Sequence, residues 1–312
     1  MFLSVTYGVK AVSLSEVWEA LCNTASTDYN VNVVQARIPR TIFGLLAGAA
    51  LSISGVLMQS ITRNPIADPS ILGVNTGASL FIVIGITFFN IQSRLSYVTL
   101  AFTGAMLAAA LVYRLASLGY GGPTPIKLAI SGAAVSTALA SFVSMIIMPN
   151  SSVMTTYRFW QIGSIGGTNY EDIRWVLVIL CLCVICSIAM APQLNALLLS
   201  EDTATALGVN VPRVKLLTAI CGVFLCATVT ALAGPISFVG LMVPHIIRLL
   251  VGSDHLHLIP LSAIYGACLL LIADVAGRVL GAPGELETGI MTALIGGPVF
   301  IFIIRKAKVQ SL

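Results

Sequence analysis

The chain has 312 residues, of which 57% are hydrophobic and only 9% are charged, and its formal net charge is +4. Because a soluble domain carries about 25% charged residues, this composition excludes an ordinary soluble protein and indicates one that crosses a membrane several times. The basic residues are spread along the chain without a basic tract, so no nucleic acid is expected as a partner.

Nine apolar segments come close to the roughly 20 residues that a helix needs to cross the hydrocarbon core. The seventh segment is short and contains Pro244, which predicts a broken or half-length helix. The predicted fold class is therefore all-α, a polytopic helical membrane protein whose single transmembrane domain covers residues 1–312. The predicted spans are 41–61, 70–90, 94–116, 127–148, 173–191, 214–233, 236–252, 259–281 and 287–304.

The basic residues near the C-terminus, Arg305, Lys306 and Lys308, predict a cytoplasmic C-terminus. With nine spans, the N-terminus is then external. Residues 1–36 open with a short apolar stretch, MFLSVTYGV, which is too short to span a bilayer. We interpret 1–36 as an external segment that retains the end of a first helix. A start placed too late and a genuine nine-helix variant both stay open.

Small residues in the first two spans predict close helix packing. Gly44-x-x-x-Gly48 and Gly73-x-x-x-Gly77 each place two glycines on one helix face, where they allow neighbouring backbones to approach. Further along, the stretch TYRFWQIGSIGGTNYED separates two spans and is predicted to be an external loop.

The stretch 193–213 is the longest one on the predicted cytoplasmic side. Ser200 followed by Glu201 and Asp202 is typical of a helix start, and Gly208 is typical of a helix stop. The pattern predicts a short surface helix outside the membrane. This helix is either a plain connector or a docking element for a cytoplasmic partner, and we favour docking.

Candidate reactive groups are few. Asp274 is the only clear carboxylate inside an apolar run, which argues against an ion-coupled carrier. No GxxxxGK[ST] loop is present, so P-loop ATP hydrolysis by this chain is excluded. Cys183-x-x-Cys186 and His255-x-His257 have metal-like spacing, but we interpret them as packing thiols and a solvated pair. Neither a cofactor nor a metal site is predicted.

Several ordered motifs resemble one family nearly end to end. They are RIPR at 37–40, GAALSISGVLMQ at 48–59, RNPIADPSILGVNTGA at 63–78, RFWQIGSIGG at 158–167, ATALGVNVPR at 204–213 and AGPISFVGLMVPHIIRLLVGSDH at 233–255, followed by GELETGIMTALIGGPVFI. The chain resembles FecCD/BtuC-type permease subunits of ABC importers for iron–siderophore, haem and vitamin B12.

The resemblance implies a type II ABC importer permease fold with ten helices per subunit, of which this chain lacks the first. It also implies two permease subunits, two separate cytoplasmic ATP-binding subunits and one extracytoplasmic substrate-binding protein. Docking of the binding protein would fall to Arg37, Arg40 and Arg278. Coupling to the ATPase through the loop 193–213 would involve Glu201, Asp202, Ala204, Leu207, Gly208 and Val209. The cytoplasmic gate would include Asn64, Ile66, Thr124, Pro125 and Ile126.

We therefore expect a non-enzymatic, multi-pass permease in the cell membrane of a prokaryote, moving an iron–siderophore complex. The alternatives are haem or cobalamin as the substrate, or a stand-alone secondary carrier. Whether the second permease subunit is the same chain or a paralogue stays open.

Overall fold

The computed structural model describes residues 2–8, 12–22, 28–119 and 122–306. These residues form fourteen α-helices, so the all-α prediction is confirmed. The helices are α1 (Phe2–Thr6), α2 (Leu14–Cys22), α3 (Tyr29–Thr62), α4 (Val74–Phe89), α5 (Arg94–Ala116), α6 (Pro125–Ile147), α7 (Ser151–Ile162), α8 (Tyr170–Ala189), α9 (Ala191–Leu199), α10 (Glu201–Ala206), α11 (Val211–Ala233), α12 (Val239–Val251), α13 (His255–Leu280) and α14 (Thr288–Lys306).

Each of the nine predicted apolar segments coincides with a helix. Five helices, α3, α5, α6, α11 and α13, are long and apolar enough to cross a membrane. The apolar part of α8 and α9 meet at an angle of 46° and together form a sixth candidate. Helices α4, α12 and α14 are shorter, and the 13 residues of α12 agree with the short helix predicted around Pro244.

Helix α3 is longer than the predicted span 41–61, because it begins at Tyr29. Asp28 caps this helix, and its side chain accepts a hydrogen bond from the backbone N–H of Asn30. Pro39 lies inside α3 and removes one backbone hydrogen bond, which membrane helices tolerate. Arg37 and Arg40 are therefore three residues apart on one helix, where their side chains share a face.

The stretch TYRFWQIGSIGGTNYED, predicted to be a loop, is helical in its first half, because it includes the end of α7, Ser151–Ile162. Asn150 caps this helix by accepting from the backbone N–H groups of Ser152 and Val153. Val153 and Tyr157 are buried in a small apolar cluster with Val83 of α4. The helix is too short and too polar to be predicted as a membrane span from hydropathy. The capping residue Asn150 was the local sequence signal of its start.

Helix α3 lies at the centre of the bundle, and glycines bring its backbone against α12 and α13. A Cβ on Gly48 would overlap the carbonyl oxygen of Gly266, and a Cβ on Gly55 would overlap that of Gly240. Gly77 of α4 meets the carbonyl of Gly104 on α5 in the same way. The predicted close packing is thus confirmed for Gly48 and Gly77.

Gly73 has a different role from the one its spacing suggested. It joins a 3-10 turn, Pro69–Leu72, to α4 with φ of +74°, and it donates its N–H to the carbonyl of Ser70. A positive φ suits glycine, which has no Cβ to clash. Gly73 therefore sets the direction in which α4 starts, and the tight helix contact is made by Gly77.

Candidate functional site

One end of the bundle, which we call the arginine end, carries a buried network of ion pairs. Arg40 on α3 contacts Asp274 on α13 through two nitrogens, Nη2 at 2.7 Å and Nε at 3.0 Å. Its Nη1 contacts Glu285, in the turn after α13, at 2.7 Å. Arg278, one helical turn beyond Asp274, lies 2.9 Å from the second oxygen of Asp274. The side chain of Asp274 is fully buried, whereas that of Glu285 is 42% exposed.

Two of the three predicted docking arginines hold α1 in place. Arg37 donates to the carbonyls of Val5 and Thr6, and Arg278 donates to the carbonyls of Ser4 and Tyr7. The last carbonyls of a helix have no partner within it, so a guanidinium is a suitable partner for them. Both arginines are buried, with exposed fractions of 8% and 1%. The contacts of Arg37 and Arg278 in this conformation are therefore internal. The accessible part of the network is mainly Glu285, and the side chain of Arg40 beside it is 12% exposed.

The opposite end, which we call the Gly208 end, carries the segment 193–213 as the predicted surface helix, α10. The Ser200 hydroxyl accepts from the N–H of Thr203 and caps its start. At its end, Gly208 has φ of +84°, the N–H of Gly208 donates to Thr205, and the N–H of Val209 donates to Ala204. These two bonds form a Schellman motif, which satisfies the final carbonyls of the helix.

The side chains that flank Gly208 face in different directions. Leu207 is 65% exposed, as a docking contact would require. Val209 instead packs partly against this chain's own core, where Ala204 is fully buried. Glu201 pairs with Lys215 of α11 at 2.7 Å, and Asp202 is exposed. The exposed surface of the segment thus includes Leu207, the acidic first turn of α10 and, just before that turn, Leu198 and Leu199.

The predicted gate residues form two turns at the Gly208 end. Asn64 accepts from the N–H of Ile66 through its side chain, which makes a tight polar turn after α3. Ile66 is 46% exposed. Thr124 caps α6 by accepting from Lys127, Pro125 is the first helical residue, and Ile126 is 72% exposed. Among the described residues, no hydrogen bond joins the two turns.

A polar cluster joins α3, α9 and α13 at the same end, and we call it the Asn195 cluster: Ser60, Asn195, Asp254 and His255. Asn195 on α9 accepts from the backbone N–H of His255 at 2.8 Å and lies 2.8 Å from its Nδ1. Its amide nitrogen donates to Asp254 at 2.5 Å. His255 Nε2 lies 2.6 Å from the hydroxyl of Ser60.

The predicted solvated histidine pair is therefore wrong for His255, which is 1% exposed. Only His257 is exposed, at 3.0 Å from Asp254. Asp254 precedes α13 and caps it. The N–H of Leu256, followed by the amide of Asn195, lowers the pKa of this carboxyl, because both donors stabilise its ionised form. Among the described residues, no group of three His, Cys, Asp or Glu side chains could hold a metal ion.

A cavity of about 530 Å³ lies between α4, α6, α7, α14 and the segment before α12. Its lining carries no charged side chain. The polar lining consists of hydroxyls and amides, namely Asn75, Thr76, Ser79, Ser144, Tyr157, Gln161 and Ser237. Burial raises the pKa of Tyr157, so its phenol stays neutral over the physiological range. Such a surface offers a large ligand only weak hydrogen bonds from uncharged groups.

Comparison with known proteins identifies this arrangement. The sequence profile of the FecCD transport family matches residues 1–306. The chain belongs to the FecCD transport family.

Curated relatives of this FecCD protein cover nearly its whole length. It is 41% identical over 304 residues to the ferric enterobactin transport system permease protein FepD of Escherichia coli K12, covering 97% of this chain and 91% of that protein. It is 36% identical to the cobalamin import system permease protein BtuC of Halobacterium salinarum, covering 98% and 84%. Among solved structures, a metal-chelate type ABC transporter in an inward-facing conformation matches with a TM-score of 0.83 and 30% identity, covering 98% of this chain and 96% of that one.

This FecCD protein is thus a permease of an ABC importer and a multi-pass protein of the bacterial inner membrane. Its relatives are permease subunits whose ATPase is a separate subunit, so the chain is not itself an enzyme. It works with ATPase and substrate-binding partners.

The sequence analysis missed the pairing of Asp274 and the whole Asn195 cluster. The spacing of Asp274 and Arg278, four residues apart, was a usable signal for an ion pair on one helix. No local signal indicated a role for Asn195.

Proposed function

We propose that this permease moves an iron–siderophore complex from an extracytoplasmic binding protein into the cytoplasm. The observation that carries the proposal is the 41% identity to the ferric enterobactin permease over nearly the whole chain. The neutral cavity adds support, because a bulky chelate is better served by a wide, weakly binding passage than by a tight site. Selection among chelates then rests with the binding protein.

We propose that the importer contains two permease subunits, two ATP-binding subunits and one binding protein. Under this proposal, the arginine end faces outward and the Gly208 end faces the cytoplasm, in agreement with the basic C-terminus. Leu207, Glu201 and Asp202 contact the ATPase, while Gly208 fixes the turn and Val209 anchors it to the permease core. The turns at Asn64–Ile66 and Thr124–Ile126 lie at the cytoplasmic mouth and act as the gate.

Docking of the binding protein is proposed at Arg40. Arg37 and Arg278 contribute indirectly, because they hold the structure beneath this surface. A carboxylate on the partner could share the guanidinium of Arg40, whose current surface partner is the half-exposed Glu285. Arg37 and Arg278 hold α1 and keep this part of the surface rigid. Because exposed charge pairs are screened by salt, docking should weaken as the salt concentration rises.

The experiment is transport by the complete complex in proteoliposomes. The permease is reconstituted with the ATP-binding subunits and the binding protein from the same organism. We then compare the uptake of five radiolabelled compounds: ferric enterobactin, ferric citrate, a ferric hydroxamate, haemin and cobalamin. We expect ATP-dependent uptake of a ferric siderophore and docking that weakens at high salt. Uptake of haemin or cobalamin alone would contradict the proposed substrate. Uptake by the permease alone, driven by an ion gradient, would contradict the importer.

A further inference from the structure

The Asn195 cluster connects the segment 193–213, which we propose couples to the ATPase and call the coupling segment, to α13 more strongly than to α3. On one side, Asn195 makes three short contacts to the start of α13: two to His255 and one to Asp254. Asp254 in turn accepts from the N–H of Leu256 at 3.0 Å, so the cap of α13 belongs to the same network. Helix α9 is therefore fastened to the first turn of α13.

The contact between this cluster and α3 is weaker, because the Ser60 hydroxyl has a single proton and two acceptors within reach. Because Asn195 Oδ1 is an acceptor, His255 Nδ1 carries the proton, and in the neutral ring Nε2 must accept from Ser60. The Ser60 hydroxyl has one proton, yet it also lies 2.7 Å from the carbonyl of Val56 in its own helix. Ser60 can therefore turn from His255 to Val56 and give up this contact without leaving its own proton unpaired. Helix α9 has one further contact with the end of α3, where Arg63 donates to the carbonyl of Leu197 at 3.0 Å.

Helix α13 runs from this cluster to the other end of the bundle. Its 26 residues span about 39 Å at 1.5 Å per residue, and its last turns carry Asp274 and Arg278 of the arginine network. Midway, Gly266 packs against the backbone of Gly48 on α3. A displacement of α9 that is passed to the start of α13 can thus reach the arginine end through one continuous helix.

We propose that Asn195 is a positioning residue that latches α9 to the start of α13, so that movement of the segment 193–213 is transmitted to α13. The proposal rests on the proposed function, since it assumes that the ATPase acts on the segment 193–213. It predicts that loss of Asn195 separates ATP hydrolysis from transport. Loss of Ser60, in contrast, should leave the two linked.

The test compares Asn195→Ala and Ser60→Ala in the reconstituted complex, with His257→Gln as the matched control on the exposed neighbour. The probe is ferric enterobactin, or whichever of the five chelates the wild type takes up best. For Asn195→Ala we expect normal assembly, retained ATP hydrolysis and about a fivefold or larger fall in chelate transported per ATP. Ser60→Ala and His257→Gln should keep the wild-type ratio. A proportional fall of hydrolysis and uptake in Asn195→Ala, or an equal loss of the ratio in Ser60→Ala, would overturn the latch.

A second measurement needs only the permease in nanodiscs. Hydrogen–deuterium exchange should show that Asn195→Ala loosens α9 and the first turn of α13 together, while the last turn of α3 keeps its protection. His255→Asn, which can still donate to Asn195 but cannot reach Ser60, should keep α9 protected. If Asn195→Ala leaves exchange in α13 unchanged, the latch is refuted even when the importer works as proposed. If the exchange results hold but no ATP-driven uptake occurs, the proposed function fails and the latch does not.

Discussion

Asp274 is the residue on which the arginine end depends. Its carboxylate is fully buried and stands between Arg40 and Arg278, which come from opposite sides of the α3–α13 contact. A buried charge without a partner is strongly unfavourable, so each of these groups requires the others. The carboxylate is thus engaged by two guanidinium groups.

We expect Asp274→Asn to lower the free energy of unfolding by about 3 kcal/mol or more, because it leaves two arginines facing a neutral amide in a buried site. Glu285→Gln removes a half-exposed partner of the same arginine and should lower it by about 1 kcal/mol or less. The measurement is thermal unfolding of both variants in the same detergent. Equal destabilisation by the two substitutions would mean that burial of an ion pair in this network does not determine how much the pair contributes to stability.

At the scale of elements, the contact between α3 and α13 depends on the absence of side chains. Gly48 and Gly266 place the two backbones so close that a methyl group on either would overlap the carbonyl of the other. The same contact keeps Arg40 beside Asp274. In a membrane, where helices gain little from the hydrophobic effect between them, such close packing is a main source of association.

Gly48→Ala should therefore push α3 away from α13 and lengthen the pairing of Arg40 with Asp274. We expect lower thermal stability. We also expect α1 to detach more easily, because Arg37 of α3 and Arg278 of α13 both bind its carbonyls. Gly297→Ala in α14 is the control, since a Cβ there meets nothing within 4 Å. The comparison is made by thermal unfolding and by limited proteolysis of the N-terminal residues. Wild-type stability and proteolysis of Gly48→Ala would show that α3 and α13 can move apart without destabilising the protein.

At the scale of the whole molecule, the surfaces proposed for the two partners lie at opposite ends of one bundle. The Gly208 end presents α10 with an exposed leucine, and the arginine end presents Arg40 with Glu285. Helices α3 and α13 both run between these ends. An importer that must respond to an external partner and an internal ATPase has, in these helices, a physical connection between them.

Gly208→Val should leave the permease in the membrane but abolish ATP hydrolysis stimulated by the binding protein. The reason is that φ of +84° is unfavourable for a residue with a Cβ, by about 1–2 kcal/mol, and more so for a β-branched one. The turn then refolds and displaces Leu207. Gly119→Val, at φ of +80° in open space between α5 and α6, is the control for backbone strain alone. Normal stimulation in Gly208→Val, or equal loss in both variants, would remove the coupling role.

The sequence by itself determined the class, the positions of the apolar helices and the local ends of several of them. The membrane assignment follows from composition, and α10 with its Gly208 stop follows from residues within one turn of each other. These features depend on hydropathy and on capping, which are local properties. The family resemblance followed from motifs that are likewise contiguous in the chain.

Only the tertiary structure decided which polar groups meet. Arg40 and Asp274 are separated by 234 residues, and Ser60 and His255 by 195, so no spacing rule could pair them. For the same reason the sequence analysis placed Arg37 and Arg278 at an open surface and His255 in solvent, whereas packing buries all three. Burial is a property of the neighbours that the fold brings together. For these residues the neighbours come from α1, α3, the segment 193–213 and α13.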